Sequence, residues 1–413
     1  MQAERVDQDR TGYLRDLCRL LWPDPARAEL TARSPSDRRP DLSMIVLPGL
    51  RRPRLLVPDE RRPAAAAVRR YGEPGSARSA VATRALSAAL ASGLGSRLLR
   101  DRVEVRVPSG AETIESRLSS LLGQRVLISV HLGAARANRK PVLQLLTTAG
   151  ETVGFAKVGI NPLTTDLVSA EHHALCRLHE AGLAELDAPR VLGRDHWHGL
   201  EILALSPLPV WEKRTPLPAD LLERAMAEVA GVGGRRESPL AASEYLALLL
   251  SRLDAAGDGA EQATLRSLLG ELAGLTGDTT LSFGSWHGDW TPWNMACTKS
   301  GLLVWDWERF TAPAPLGFDA LHYWLQCEVV GSRRDPAQSA ARCLDRAPAL
   351  LEPFGVPASQ ARLSALLYLA DLSARYLADR QEQAGAALGA PRRWLLPALT
   401  AGVAGLRPAR EGG

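Results

Sequence analysis

A segment of 23 residues, Trp286 to Glu308, constrains the fold of this 413-residue chain more than any other stretch. It contains a His-Gly-Asp sequence ending at Asp289 and, five residues later, Asn294. Gly288 permits a tight or left-handed turn before Asp289, and Pro292 keeps the following residues out of a helix. We therefore predict that Asp289 and Asn294 lie on one rigid loop.

A second acidic group follows a short apolar segment. Leu302 to Trp305 is predicted to be a strand, and it brings Asp306 to the strand end, two residues before Glu308. A loop carboxylate can orient a hydroxyl nucleophile and accept its proton, while amide and carboxylate oxygens are ligands that Mg²⁺ prefers. We predict Asp289 as the catalytic residue and three metal ligands, Asn294, Asp306 and Glu308. The alternative is that these carboxylates only cap turns.

The linked motifs resemble those of a known family. His-Gly-Asp-x-x-x-x-Asn, followed by an apolar strand and Asp-Trp-Glu, is similar to the aminoglycoside phosphotransferase and choline kinase family, a branch of the protein-kinase-like fold that acts mostly on small molecules. The run from Gly317 to Leu321 is also similar, and in that family an aspartate at the position of Asp319 often braces the larger lobe. The resemblance implies an α+β, two-lobe fold with a small antiparallel-sheet lobe and a mainly helical lobe. It also implies magnesium and ATP, or another nucleoside triphosphate, as cofactors.

The same resemblance assigns nucleotide contacts. Val126 to Val130 is predicted to be a strand leading into a turn over the phosphates, in which Gly133 is the only glycine and Arg136 supplies charge. Lys157 lies among apolar residues on a predicted strand, where a cation needs a partner. Glu171 is predicted to open the next helix and to form a salt bridge with Lys157, which would direct the lysine to the α- and β-phosphates. A purely structural salt bridge is the alternative. The backbone near Leu205 and Leu208 is expected to bind adenine.

Three regions are predicted along the chain. Residues 1–119 read as an accessory α+β region, with a first helix that ends before Pro23, a hairpin at 43–58, alanine-rich helices at 64–70 and 79–100, and a strand at 103–107. Residues 120–206 read as the nucleotide lobe, with hairpins at 141–158 and 189–205 and a helix at 169–181. Residues 207–413 read as a helical catalytic lobe, with helices at 219–230, 241–255, 261–275, 318–330, 336–351, 358–382 and 392–406.

Composition excludes several classes of protein. Hydrophobic residues make up 46% and charged residues 23% of the chain, as in ordinary globular proteins, and no apolar run reaches the length of a membrane span. The five cysteines are scattered without a Cys-x-x-Cys pair, which favours a reducing, cytoplasmic setting. Residues 1–140 hold 26 Arg and Lys against 15 Asp and Glu, so an anionic partner is one hypothesis and a solvated arginine-rich surface the other. No motif indicates nucleic-acid binding.

Three functions remain open from the residues alone. The first is phosphate transfer to a hydroxyl of a small molecule. The chain has six tryptophans from Trp286 to Trp324, and aromatic rings attract ammonium groups, so a cationic amino sugar or amino alcohol is one hypothesis for the acceptor. The alternative is that most of these rings belong to the core. The second is a kinase acting on peptide Ser or Thr, with the basic first third gripping an acidic leader. The third is a nucleotide-binding pseudokinase or scaffold, which the single glycine of the phosphate turn would suit.

Overall fold

The structure is a computed structural model, and it describes residues 2–32, 40–71, 77–133, 137–383 and 388–407. The chain divides into two compact units: residues 1–169 with 189–207, and residues 170–188 with 208–413. Arg136, the stretch 72–76 and the tail 408–413 lie outside the described residues. Within the described part, no helix combines the length and apolar character needed to cross a bilayer.

The first unit is built on a sheet whose paired neighbours are all antiparallel. Nine strands contribute, and in chain order they are β1 (Arg27–Ala32), β2 (Leu42–Leu47), β3 (Leu55–Pro58), β4 (Asp101–Arg106), β5 (Leu127–His131), β6 (Val142–Leu146), β7 (Thr152–Gly159), β8 (Val191–Trp197) and β9 (Leu200–Leu205). Their order across the sheet is β1-β4-β2-β3-β5-β6-β7-β9-β8. The strands before and after residue 119 therefore belong to one sheet, joined where Leu56 of β3 pairs with Val130 of β5.

Helices supply apolar residues to two separate cores of this unit. In chain order they are α1 (Gln2–Leu21), α2 (Arg61–Tyr71), α3 (Ala77–Ser92), α4 (Leu94–Leu98) and α5 (Ile114–Leu122). One core joins α1 and α5 to residues of β2 to β9, and the other joins α2 and α3 to residues of β2, β3, β5 and β6. Each sheet face is thus covered by apolar side chains, as a sheet buried on both sides requires.

The next helix, α6 (Pro162–Ala181), runs across the division between the units. The second unit continues with helices α7 (Ala219–Gly231), α8 (Glu244–Ala255), α9 (Ala260–Thr276), α10 (Phe318–Gln326), α11 (Pro336–Leu351), α12 (Ala358–Ala378) and α13 (Leu395–Ala404). Two small sheets accompany them, formed by β10 (Arg236–Pro239), β11 (Thr280–Trp286) and β14 (Thr311–Pro315), and by β12 (Met295–Thr298) with β13 (Gly301–Val304). Most residues of α12 are buried, so this helix forms the centre of the unit's main core.

The predicted α+β class, with an antiparallel-sheet unit and a mainly helical unit, is confirmed. The predicted boundaries after residues 119 and 206 stay predictions. Four strands were not predicted, namely β1, β10, β12 and β14. The strand β1 alternates between exposed and half-buried residues, so its sequence carries no continuous apolar signal, and pairing with β4 defines it.

Several predicted helix ends are wrong. The alanine-rich helix predicted over 79–100 breaks at Gly93, which has φ 82°, and the helix predicted over 358–382 ends at Ala378. Helix α6 begins at Pro162, so Glu171 lies in its middle and does not open it. The start is defined by Asn161, whose side chain accepts a hydrogen bond from the amide of Thr164 at 3.0 Å, and by the proline in the first helical position.

Candidate active site

The predicted loop begins where β11 ends. His287 is fully buried, and Gly288 has φ 81°, a left-handed conformation that favours glycine. A Cβ atom at Gly288 would also lie 2.3 Å from the carbonyl oxygen of Arg309. The tight turn predicted at Gly288 is therefore confirmed, and both its backbone conformation and its close neighbour require glycine.

Asp289 and Asn294 are held together as predicted. The side-chain nitrogen Nδ2 of Asn294 donates to the backbone oxygen of Asp289 at 2.9 Å and to the carboxylate Oδ2 of Asp289 at 3.0 Å. Asn294 is buried, whereas the side chain of Asp289 is 43% exposed. The loop thus presents a partly exposed carboxylate of fixed orientation, and the amide oxygen of Asn294 takes no part in these two bonds.

The β12–β13 hairpin returns the chain to the same loop. The backbone amide of Trp305 donates to the carbonyl of Asn294 at 3.0 Å, so Asp306 follows directly beside Asn294. Asp306 has φ 68°, an uncommon left-handed conformation for a residue with a side chain. Glu308 lies in the 3₁₀ turn from Trp307 to Arg309 and is buried. The structure therefore brings Asp289, Asn294 and Asp306 into one hydrogen-bonded loop pair.

His287 makes hydrogen bonds to both segments of this loop pair. Its Nδ1 accepts the backbone amide of Asp289 at 3.1 Å, and its Nε2 lies 3.0 Å from the carbonyl of Trp305. An acceptor at Nδ1 and a carbonyl at Nε2 require the neutral ring with its proton on Nε2. Burial lowers the pKa of His287 to about 4, against the opposing influence of the Asp289 and Asp306 carboxylates.

Asp319, in the first turn of α10, holds the turn at Gly288. Its carboxylate accepts the backbone amides of His287 at 2.8 Å and Gly288 at 3.2 Å. Burial raises the pKa of Asp319 to about 7, although the two amide donors favour the ionised form. Arg375 of α12 adds a hydrogen bond to the carbonyl of Gly288, so both the N–H and the C=O of Gly288 have a side-chain partner.

Two residues of the site were missed from the sequence, His322 and Tyr368. The Nε2 of His322 lies 3.2 Å from Oδ1 of Asp289, and its Nδ1 lies 3.0 Å from the hydroxyl of Tyr368. His322 stands three residues after Asp319, so the two share a helix face, and this spacing is the signal that could have identified it. Tyr368 had no local signal, because it reads as one more core residue of a buried helix.

The surroundings of Asp289 favour its ionised form. Burial by itself raises the pKa of this carboxyl group, but the hydrogen bond from His322 and the positive charge of Arg375 oppose burial and hold the pKa below its ordinary value. Asp289 is therefore a carboxylate at any pH near neutrality. It can accept a hydrogen bond from an incoming hydroxyl, while its low basicity makes orientation its main contribution.

The predicted nucleotide-binding residues have the following places. Lys157 is buried on β7, between β6 and β9, where its register partners are Val142 and Leu203. Glu171 is buried on α6, and Leu205 is the last residue of β9. Gly133 follows β5, and a Cβ atom there would meet nothing within 4 Å. Leu208 is half-buried and packs in a small cluster with Val210, Ala296, Leu303 and Trp305. Pairing of Lys157 with Glu171 stays a prediction.

The predicted metal ligands suit magnesium in kind. Among the described residues there is no group of three or more His, Cys, Asp and Glu side chains that could hold a metal ion. Magnesium does not need such a group, because it is usually held by one or two carboxylates together with waters and substrate phosphates. Asn294 and Asp306, side by side at a strand end, are consistent with that donor set.

The six tryptophans near the site divide equally. Trp286, Trp290 and Trp307 are buried, so these three rings are core beneath the loop. Trp305 and Trp324 are half-buried, and Trp293 is 44% exposed. Only this second group offers ring surface to a ligand.

Comparison with known proteins gives matches among solved structures only. No protein-family model matches the chain, and no curated protein does. The chain is similar to aminoglycoside phosphotransferase APH(4)-Ia, with 15% identity over 70% of this chain and 98% of that one and a TM-score of 0.43. It is similar to spectinomycin phosphotransferase APH(9)-Ia, with 13% identity over 69% and 97% of the two chains and a TM-score of 0.40. It is also similar to a choline/ethanolamine kinase family protein from Mesorhizobium loti, with 14% identity over 67% and 92% and a TM-score of 0.39.

Proposed function

We propose that this chain is a phosphotransferase of the aminoglycoside phosphotransferase and choline kinase type, which uses ATP and magnesium to phosphorylate a hydroxyl group of a small molecule. The observation that carries the proposal is the hydrogen-bonded loop pair in the second unit. It gathers an oriented carboxylate, an amide oxygen and a strand-end carboxylate, which are the parts that phosphoryl transfer requires.

In the proposed reaction, the acceptor hydroxyl donates a hydrogen bond to Asp289. Its oxygen forms a bond to the γ-phosphorus as the bond from that phosphorus to the bridging oxygen of ADP breaks. The hydroxyl proton leaves through Asp289 to solvent late in the step, because a carboxylate whose pKa is lowered is a weak base and removes a proton only once the oxygen is largely bonded to phosphorus. Asp289 thus positions the nucleophile.

Magnesium, when bound, would neutralise charge on the β- and γ-phosphates, with Asn294, Asp306 and Glu308 as the proposed ligands. On the nucleotide side, Lys157, oriented by Glu171, is proposed to contact the α- and β-phosphates. Gly133 is proposed to let the turn approach the phosphates, and the backbone near Leu205 and Leu208 to receive the adenine.

The acceptor is proposed to be a cationic alcohol, such as an amino sugar or an amino alcohol. Trp293 lies between Asp289 and Asn294 in sequence and exposes 44% of its surface, so its ring is available to an ammonium group. Glu328, half-buried on the segment after α10, carries negative charge but is already paired with Arg334 and Arg342. The aromatic face of Trp293 is therefore the stronger support.

The test measures ATP-dependent mass gain with a panel of amino sugars, amino alcohols and neutral sugars. Wild-type protein is expected to phosphorylate at least one cationic acceptor, and Asp289→Asn to reduce the rate by about 10²- to 10⁴-fold, the range for a general acid or base. ATP with magnesium should still raise the melting temperature of Asp289→Asn, since the nucleotide contacts remain. Transfer to neutral sugars alone would refute the cationic acceptor, and unchanged transfer in Asp289→Asn would refute the site.

A further inference from the structure

A buried hydrogen-bonded chain leads from the core of the second unit to Asp289. It runs from the hydroxyl of Tyr368 on α12 to Nδ1 of His322 on α10 at 3.0 Å, and from Nε2 of His322 to Oδ1 of Asp289 at 3.2 Å. Tyr368 and His322 are 0% and 1% exposed, whereas Asp289 is 43% exposed at the end of the chain. The chain therefore connects apolar surroundings to a carboxylate that solvent can reach.

The direction of these hydrogen bonds follows from chemistry. The Asp289 carboxylate is ionised and can only accept, so Nε2 of His322 must carry the proton it donates. Burial lowers the pKa of His322, so the ring is neutral and Nδ1 is left as an acceptor. The Tyr368 hydroxyl must then donate to Nδ1. With the opposite tautomer, the Nε2 lone pair would face the carboxylate, which is repulsive.

The two oxygens of Asp289 are each held by a different donor. His322 holds Oδ1, and Asn294 holds Oδ2 at 3.0 Å. One donor would leave the carboxylate free to rotate about its Cβ–Cγ bond, whereas two donors on opposite oxygens fix the plane of the group. A hydroxyl approaching the exposed side then meets a lone pair in a set direction, which is how positioning lowers a barrier.

Aromatic rings packed against His322 restrict the orientation of its imidazole ring. The rings of Trp286 and Tyr368 lie against it, with centroids 6.4 Å and 6.0 Å from the imidazole, and Trp286 and Tyr368 in turn contact Phe318. A neutral imidazole in such apolar packing is tolerated only when both nitrogens are satisfied. Tyr368 and Asp289 satisfy them.

We propose that His322 is a positioning residue for Asp289 and that Tyr368 holds the His322 ring by donating to Nδ1, so that the buried chain fixes the plane of the catalytic carboxylate. The kinetic part of this proposal rests on the proposed phosphotransferase function. The structural part, the Nε2–H tautomer of His322, does not depend on it.

The kinetic experiment compares substitutions that keep or remove the donor at Nε2. His322→Gln can place an amide nitrogen at a similar reach, whereas His322→Asn can reach only the position of Nδ1, and His322→Leu has no donor. We expect kcat to fall about 10- to 100-fold in His322→Asn and His322→Leu, with an unchanged KM for ATP, as for other residues that orient a reactive group. His322→Gln should recover most of kcat.

Matched controls separate positioning from loss of stability. Tyr368→Phe should lower kcat with an unchanged KM for ATP. Its control is Tyr245→Phe, which removes another buried hydroxyl of the same unit, one that donates to the carbonyl of Leu367 at 3.2 Å. Tyr245→Phe should leave kcat unchanged. The exposed His179 on α6 provides the matched His179→Gln control. Equal loss of kcat in His322→Gln and His322→Leu, or equal loss in the two tyrosine variants, would overturn the positioning role.

The second measurement needs no activity. Long-range ¹H–¹⁵N spectra of histidine-labelled protein, with the His322 signal assigned by its absence in His322→Gln, report which ring nitrogen carries the proton. We expect the proton on Nε2 in wild-type protein and also in Tyr368→Phe, because the Asp289 carboxylate by itself requires that tautomer. A proton on Nδ1 in wild-type protein would overturn the proposal. If no acceptor is phosphorylated, the proposed function fails while this spectrum still decides the tautomer.

Discussion

At the scale of single residues, His287 makes stability depend on pH. Its pKa is lowered from the ordinary value of 6.5 to about 4 in the folded state, because the ring is buried and neutral. Between pH 6.5 and 4 the unfolded chain therefore binds more protons at this residue than the folded chain does. The stability that the neutral ring contributes is complete above pH 6.5 and is lost as the pH falls toward 4.

The corresponding prediction uses His287→Gln, which keeps a side-chain donor for the carbonyl of Trp305 but does not titrate. One pKa unit corresponds to about 1.4 kcal/mol, so this residue should account for up to about 3 kcal/mol of stability lost on acidification. Urea unfolding of both proteins at several pH values gives the difference in unfolding free energy, which should shrink from pH 7 to pH 4. A difference that stays constant would show that His287 is not neutral in the native state.

Asp306 carries the second prediction at this scale. Asn tolerates the left-handed backbone conformation that Asp306 adopts, so Asp306→Asn removes the negative charge without straining the loop. We expect this variant to lose the extra thermal shift that magnesium adds to ATP, as Asp306→Ala should, while keeping the melting temperature of the unliganded protein. If magnesium still adds its full increment in Asp306→Asn, this carboxylate is not a ligand.

At the scale of elements, the packing of β11 against α7 positions the loop that follows the strand. A Cβ atom at Gly284 of β11 would lie 2.2 Å from the carbonyl oxygen of Ala230 in α7, and a backbone atom has little room to move. A Cβ atom added to the nearby Gly231, at the end of α7, would meet no neighbouring atom within 4 Å. These two glycines therefore make a matched pair.

Gly284→Ala is expected to destabilise the protein by about 1–3 kcal/mol, the usual cost of overpacking. Gly231→Ala should be neutral or slightly stabilising, because alanine is the better helix former and no neighbour opposes it. Thermal unfolding of both variants beside wild type measures the effect. Equal melting temperatures for the two variants would mean that β11 and α7 are farther apart than described.

At the scale of the whole molecule, the nine-stranded sheet makes the first third of the chain part of the main structure. Residues before 110 supply β1 to β4, and one apolar core includes Leu14 of α1, Val130 of β5 and Ile202 of β9. Removing residues 1–110 would expose this core and would leave the β3-facing edge of β5 without its partner.

We therefore expect residues 111–413 alone to be insoluble or to lack a cooperative thermal transition. Co-expression with residues 1–110 as a separate chain should restore soluble protein, because the missing strands are then supplied in trans. A soluble 111–413 fragment that melts within a few degrees of the full chain would instead support the accessory region predicted from the sequence.

Local sequence determined the parts of this protein whose physical cause is local. Gly288 turns the chain because glycine adopts a left-handed conformation, and the hairpins at 43–58 and 142–158 follow from short apolar runs around turn residues. The order Asp289, Asn294, Asp306 was also readable, because a short hairpin joins the last two. The tertiary structure alone decided the pairing of β1 with β4, whose residues are 69 to 79 positions apart. It also decided that Tyr368, through His322, supports Asp289 from another helix, because residues far apart in the chain meet only when the core closes around them.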